Sequence, residues 1–320
     1  MDKSEKVSAR VELLHTPVMV SESLQGLNVL TGGKYVDCTA GAGGHTLAIL
    51  RAAAGVRVLS IDKDSGVNTV YKETVKGYEK RVELVKADFS ELRKVISDAG
   101  FTPVNGVLFD LGVSSMQIDE PSRGFSFQTE GPLDMRMDPT QKISASHIVN
   151  GYDQKELAAI IYKYGEEPAA NRIAGGIVRA RPIKTTAQLA NVISIAKGGR
   201  RGARIHPATQ TFQAIRISVN DELQKLSSAL QQAVEVLAPE GRLAVISYHS
   251  LEDRIVKQFM RTEQRDCICP PGLPECRCGH KATLKIIKPD FMTPSQQEIS
   301  ENPRSRSAKL RVAERIAQAA

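Results

Sequence analysis

Between residues 34 and 114 the chain alternates, without interruption, between short apolar runs and stretches with helical spacing. The apolar runs are KYVDCTA, VRVLSID, RVELVKAD and VNGVLFDLG; between them stand GGHTLAILRAAAG, SGVNTVYKETVKGY and SELRKVISDAG. Runs this short and this continuously apolar predict strands covered on both faces, and the segments between them predict helices. The first helix is expected to stop at Gly55 and the second to be capped by Ser65. Strands alternating with helices of this length form βαβ units in a parallel sheet.

From about Ile118 to Ala214 the alternation gives way to loops and helices, of which DQKELAAIIYKYGE and NRIAGGIVRAR are the clearest. A long helix, NDELQKLSSALQQAVEVL, then leads to a fifth strand, GRLAVISY. The helix LEDRIVKQFMRTE follows, with Ser250 and Asp253 at capping-box spacing. ATLKIIKP and SAKLRVAERI are expected to finish the sheet as an antiparallel pair. The pattern predicts an α/β fold with a mostly parallel seven-stranded sheet. Residues 11–117 and 215–320 form one discontinuous domain in this reading, and 118–214 an inserted all-helical domain.

The first strand runs into TAGAGGHT. Gly41, Gly43 and Gly44 let the backbone approach a ligand closely, and the helix that follows offers unpaired N–H groups. Asp62 ends the second strand, where an acid can accept from ribose hydroxyls. A dinucleotide fingerprint needs Gly or Ala where this chain has Thr46, and the turn lacks the Gly-Lys-Ser/Thr ending of a P-loop. That makes a nicotinamide dehydrogenase the least favoured reading and leaves a nucleoside ligand without a pyrophosphate, with S-adenosylmethionine (SAM) the candidate and a tight turn without a ligand the alternative.

In an open parallel sheet, ligands lie beyond the carboxyl ends of the strands. Asp88 and Phe89 end the third strand, an acid and an aromatic suited to an adenine; Phe89 is equally suited to core packing. Asp110, Ser114 and Ser115 follow the fourth, beside the expected methyl donor, with turn capping as the alternative for Asp110. His249, after the fifth strand, either faces the same cleft or is a core histidine satisfied by its neighbours.

The net charge is +7, but its distribution says more. From Asn171 to Asn220 there is no acidic residue, yet Arg172, Arg179, Arg181, Lys184, Lys197, Arg200, Arg201, Arg204 and Arg216 occur there. That is either a solvated face or an electrostatic footprint for nucleic acid. The chain shows no apolar run of membrane-spanning length and no signal-peptide core, so a soluble, cytoplasmic protein is expected.

Cys267, Cys269, Cys276 and Cys278 stand as CxC–x6–CxC, with His280 just after. Four thiolates can close a structural zinc site; reduced free thiols or a redox-labile pair are the alternatives.

HTPVMVSE, GAGGHT, LFDLGVSSMQIDEPSRGFSF, GPLDMRMDP, HPATQTFQAIRI, SYHSLEDRIVKQFM and ENPRSRSAKLRVAER together resemble the MraW/RsmH family, from about His15 to Arg315. Members are bacterial SAM-dependent methyltransferases acting on cytosine N4 of small-subunit ribosomal RNA. The resemblance implies a class I, Rossmann-like methyltransferase fold with an inserted helical domain. It implies a SAM site of Gly43, Gly44, His45, Asp62, Phe89, Asp110 and Gln117, to which the strand-end reading adds Gly41 and Asp88. It also implies a target cytidine in the decoding region, presented by ribosomal RNA or by the assembled small subunit. Monomer and homodimer are both compatible with the sequence.

DNA amino-methyltransferases place a polar–Pro–Pro–aromatic motif after strand four. This chain has DLGVSS, so the acceptor for the N4 proton is not copied by analogy. Asp110 is the first candidate, as donor-site group or acceptor, with Ser114 and Ser115 second. Phe125 and Phe127 either stack on a flipped-out base or fill the interface between domains. Arg123 and Arg136 either meet phosphates or pair with Asp134 or Asp138, and the tail arginines Arg304, Arg306, Arg311 and Arg315, with Lys309, either contact RNA or guard an edge strand. The same features fit an amino-methyltransferase acting on another nucleic acid, or an assembly factor that binds SAM and RNA without essential catalysis.

Overall fold

The computed structural model describes residues 17–199, 206–270, 273 and 275–317. The chain divides into two units, Met1–Gly112 with Leu223–Ala320, and Val113–Glu222. The sequence pattern places these passages after Gln117 and Ala214. The second lies later because Phe212, Ile215 and Val219 are packed in the core of the helical unit.

In the first unit, short helix α1 (Val20–Leu27) precedes β1 (Lys34–Asp37), α2 (Gly44–Ala52), β2 (Arg57–Asp62) and α3 (Asn68–Thr74). Then come β3 (Val82–Lys86), α4 (Leu92–Asp98) and β4 (Val104–Asp110). After the helical unit the chain continues through α11 (Glu222–Val236), β5 (Leu237–Ser247), α12 (Ser250–Glu263), β6 (Leu284–Ile286), α13 (Gln296–Glu301) and β7 (Lys309–Arg315). The seven strands lie in the order β3-β2-β1-β4-β5-β7-β6. β1 to β5 pair in parallel, and β7 inserts between β5 and β6, antiparallel to both. This is the class I, Rossmann-like methyltransferase topology.

Successive strand residues point to opposite faces, so each apolar run feeds two cores. Val36, Leu59, Val107, Phe109 and Val245 face one core, closed by α4, α11 and α12. Tyr35, Val58, Leu108, Ala244 and Ile246 face the other, closed by α1, α2 and α3. Gly106, inside β4, is there for Tyr35: a Cβ at that position would lie 2.8 Å from the tyrosine ring. Register aligns the strand ends, with Asp62 opposite Lys86 and Asp110 opposite Ile246. After β1 the chain winds toward β3, then returns to β4 on the other side of β1. The β1–β4 boundary is therefore the topological switch point, where such sheets place their ligands.

Two helix starts differ from expectation. Asp64, not Ser65, makes the cap before α3, accepting from the Gly66 N–H, and a 3-10 turn precedes the α-helix. α12 is capped by His249, with Glu252 completing the box, one residue before the expected Ser250 and Asp253. No helix among the described residues is long and apolar enough to cross a membrane.

The helical unit contains α5 (Ser115–Asp119), α6 (Ala145–Gly151), α7 (Gln154–Gly165), α8 (Ala170–Ala180), α9 (Thr186–Ala196) and α10 (Thr209–Asn220). Its core is built from Ile148, Leu157, Ile161, Ile173, Ile177, Leu189, Ile193 and Phe212, among others. Capping boxes start α7 (Asp153 with Glu156) and α9 (Thr185 with Gln188).

Candidate active site

The glycine turn leaves β1 at Asp37 and enters α2 at Gly44. Gly41 and Gly43 have φ of +48° and +87°, a region L side chains avoid. The turn is also close-packed: a Cβ on Gly43 would lie 3.0 Å from the Tyr71 ring, and one on Gly44 2.8 Å from Pro17. Asp62 braces it, one carboxylate oxygen accepting from the Gly41 N–H and the other from the Asp64 N–H, both at 2.8 Å. Burial pushes the Asp62 pKa up to about 6, against the pull of those two N–H groups.

Thr46 explains why the fingerprint is broken. Its buried hydroxyl donates to Asp37 at 2.7 Å and lies 2.9 Å from the Ser60 hydroxyl, which accepts from Tyr71 at 2.6 Å. Asp37 is fully buried, and burial raises its pKa above the usual carboxylate range. This network ties β1, β2, α2 and α3 together beneath the turn. Sequence reasoning does not single out Asp37, Ser60 or Tyr71; the available signal is a polar residue inside each of two apolar runs.

At the end of β4, the Asp110 N–H donates to the Thr39 hydroxyl at 2.7 Å. Its carboxylate accepts from the Tyr248 hydroxyl at 2.7 Å and lies 3.5 Å from His45 Nε2. Burial lowers the pKa of His45, but the adjacent Asp110 carboxylate, with Asp37 and the Val18 carbonyl, more than offsets it and holds it above the ordinary value. His45, from the first turn of α2, thus meets Asp110 and Tyr248, from the ends of β4 and β5. Tyr248 is missed by sequence reasoning, which favours its neighbour His249 as the more obvious titratable group.

Asp88, expected to address an adenine, also has partners within the protein. One oxygen accepts from the N–H and hydroxyl of Ser90, and the other accepts from Lys225 at 2.9 Å and lies 3.8 Å from Lys63. Burial pushes its pKa up, yet the lysines and the Ser90 N–H hold it below the carboxylate range. Asp88 thus caps the 3-10 turn that carries Phe89 and anchors the two lysines. Phe89 meets Phe109 edge-on, with ring centres 5.7 Å apart, and packs against the core.

His249 caps α12, and its buried Nε2 makes no hydrogen bond among the described residues. Its ring accepts from the Glu252 N–H at 3.4 Å, and Nε2 lies 3.1 Å from the Glu252 carboxylate.

The profile of the MraW methylase family matches residues 12–316. The chain belongs to that family. A ribosomal RNA small subunit methyltransferase H from Dehalococcoides mccartyi is 56% identical over 96% of this chain and 88% of its own length. Proteins of the same name from Thermomicrobium roseum and Brevibacillus brevis are 52% and 48% identical, over 95% and 94% of this chain and 94% and 98% of theirs.

In this member of the MraW family, the residues just after β4 fall in the helical unit. Ser114 caps α5, accepting from the Gln117 N–H at 3.2 Å while Gln117 Oε1 accepts from the Ser114 N–H at 3.1 Å. Ser115 is the first residue of that helix, and Gln117 is buried.

The arginines of the RGFSF…GPLDMRMDP stretch build the loop rather than face outward. Arg136 pairs with Asp134 through two bonds of 2.9 and 2.7 Å, and Arg123 donates to the carbonyls of Arg136 and Met137. Phe125 and Phe127 pack against the helical core, Phe127 stacking on His206 at 4.6 Å. Asn220, which sequence reasoning also misses, clamps the loop by accepting from the Met137 N–H and donating to the Met135 carbonyl.

Of the basic residues, Arg181 donates to the carbonyls of Val149 and Tyr152, Arg216 pairs with Glu222, and Lys197 with Glu167. Arg172, Arg179 and Lys184 are exposed; Arg200, Arg201 and Arg204 lie outside the described residues. In the tail, Arg311 is buried against Asp253, so it holds β7 to α12 rather than reaching outward.

Proposed function

We propose that this chain methylates the exocyclic N4 of a cytidine in the decoding region of small-subunit ribosomal RNA, using SAM, in the cytoplasm. The observation that carries the reading is the family match over nearly the whole chain, with relatives at about half identity named for small-subunit ribosomal RNA methylation. The switch-point geometry fits the cofactor. At Gly41, where a Cβ would meet no protein atom nearer than 3.8 Å, the backbone is open to close approach, and each oxygen of Asp62 keeps a lone pair for a ribose hydroxyl. Phe89, His45, Asp110 and Gln117 complete the proposed set, and Asp88 supports it by fixing the turn that carries Phe89.

When bound, SAM supplies an electrophilic methyl group on a sulfonium. The lone pair of cytosine N4 is delocalised into the ring, so the main contribution of the protein is to hold the amine in line. Asp110 is the proposed acceptor for N4–H. The Tyr248 hydroxyl and the His45 imidazole fix its carboxylate while leaving lone pairs free to orient the amine and take its proton. Ser114 and Ser115 are proposed to contact the base, and His249 caps α12 through Nδ1. Exposed Arg172, Arg179 and Lys184 on the insert are proposed to meet RNA phosphates.

The test compares methyl transfer from labelled SAM to small ribosomal subunits lacking the modification, to naked ribosomal RNA and to duplex DNA. Incorporation into the ribosomal substrates and none into DNA is expected. Preferred labelling of DNA, or SAM binding with no transfer to any of the three, contradicts the reading.

A further inference from the structure

The connection between α12 and β6 contains a constellation the methyl-transfer chemistry does not use. Its two ends are zipped together: the Thr283 N–H donates to the Glu263 carbonyl at 2.8 Å, and His280 Nε2 donates to the Thr262 carbonyl at 3.1 Å. Beyond that base, among the described residues from Gln264 to Thr283, none is a buried hydrophobic. Ile268 and Leu273 are about half exposed. A loop that buries no apolar side chain needs another source of order.

Four free thiols converge there. Sγ of Cys267, Cys269, Cys276 and Cys278 all lie within 4.8 Å of one another, although three of the cysteines are exposed. Cys276 and Cys278 sulfurs are 3.5 Å apart, and those of Cys278 and Cys267 3.8 Å. With zinc–sulfur bonds of about 2.3 Å, the edge of a tetrahedral four-sulfur site is about 3.8 Å.

The backbone is arranged for thiolates. The Ile268 N–H donates to Cys278 Sγ at 3.5 Å, the Arg277 N–H to Cys269 Sγ at 3.4 Å, and the Cys269 N–H to Cys267 Sγ at 3.4 Å. The first two cross from one Cys-x-Cys turn to the other, so each turn orients a ligand on its partner. Such N–H groups stabilise sulfur in its charged, metal-binding form and fix its direction. His280 is engaged at the base of the loop, which leaves a closed set of four sulfur donors.

We infer that Cys267, Cys269, Cys276 and Cys278 form a structural zinc site that pins the α12–β6 connection. All four positions of the ion are filled by protein, so the site orders the loop and takes no part in catalysis. The inference is independent of which substrate the protein methylates.

Elemental analysis of the full-length chain, purified reduced and without chelator, tests it. About one zinc per chain is expected, and cobalt substitution is expected to give the intense visible bands of a tetrahedral thiolate site. Cys276→Ser with Cys278→Ser is expected to lower bound zinc to below about a tenth of an equivalent, while Cys38→Ala, in the sheet core, keeps it. Because the cobalt spectrum is read on the unmutated chain, misfolding of a variant does not blunt the test. Reduced protein that takes up no zinc from excess, or that holds iron instead, overturns the inference. So does a mass showing disulfides among these four cysteines as purified.

Discussion

Two single residues set the pH behaviour of the proposed site. Asp62 must be ionised to accept from two hydroxyls, and burial places its pKa at about 6. SAM affinity is therefore expected to be level above about pH 7 and to fall by about tenfold per unit once the pH drops below that pKa. Asp62→Asn is expected to weaken binding by about 2 kcal/mol, roughly thirtyfold, and to remove the pH dependence; calorimetric titration from pH 5 to 8 reads both. His45 is shifted the other way in its effect on folding. Its folded-state pKa is raised, so the stability it draws from Asp110 is complete below its unfolded value near 6.5 and is lost as pH rises through the folded one. The melting-temperature deficit of His45→Asn should then be larger at pH 6 than at pH 9. An equal deficit at both would show that the pair contributes packing alone.

Among the elements, β4 and the end of α10 are most sensitive to one atom or one group. Gly106→Ala pushes a methyl into the ring of Tyr35, which is itself held by the Leu30 N–H, and should cost about 1–3 kcal/mol in urea unfolding. Asn220→Ala strips the Met137 N–H and the Met135 carbonyl of their partner and should cost about 2–3 kcal/mol. Strand and helix existence is legible because burial imposes a period, and the seven strands appear where the apolar runs stand. The insertion of β7 between β5 and β6 is not, since sequence spacing does not specify which edge a strand joins. The start of α12 is hidden for a related reason: serine is the stronger intrinsic cap, and only the position of Glu252 selects His249. Gly41 to Gly44 and Asp62 are legible as a motif. Tyr248 and Asn220 are not, because each acts through long-range hydrogen bonds that leave no local pattern.

For the whole molecule, the question is how a donor site on an α/β sheet comes to act on a polyanion. Of the basic residues in the acid-free segment, Arg181, Lys197 and Arg216 are spent internally. Arg172 and Arg179 remain exposed on α8. Replacing both with Gln is expected to weaken RNA binding and to reduce its salt slope by about one for each phosphate left without its arginine, with SAM affinity unchanged. The most direct measurement is nucleoside analysis of small subunits after methyl transfer from labelled SAM, with the unmutated chain and with Asp110→Ala side by side. The expected result is label in N4-methylcytidine for the former and none for the latter, while Asp110→Ala still folds. Label on a ring carbon or a ribose, or near-normal N4 methylation by Asp110→Ala, would contradict the proposed chemistry.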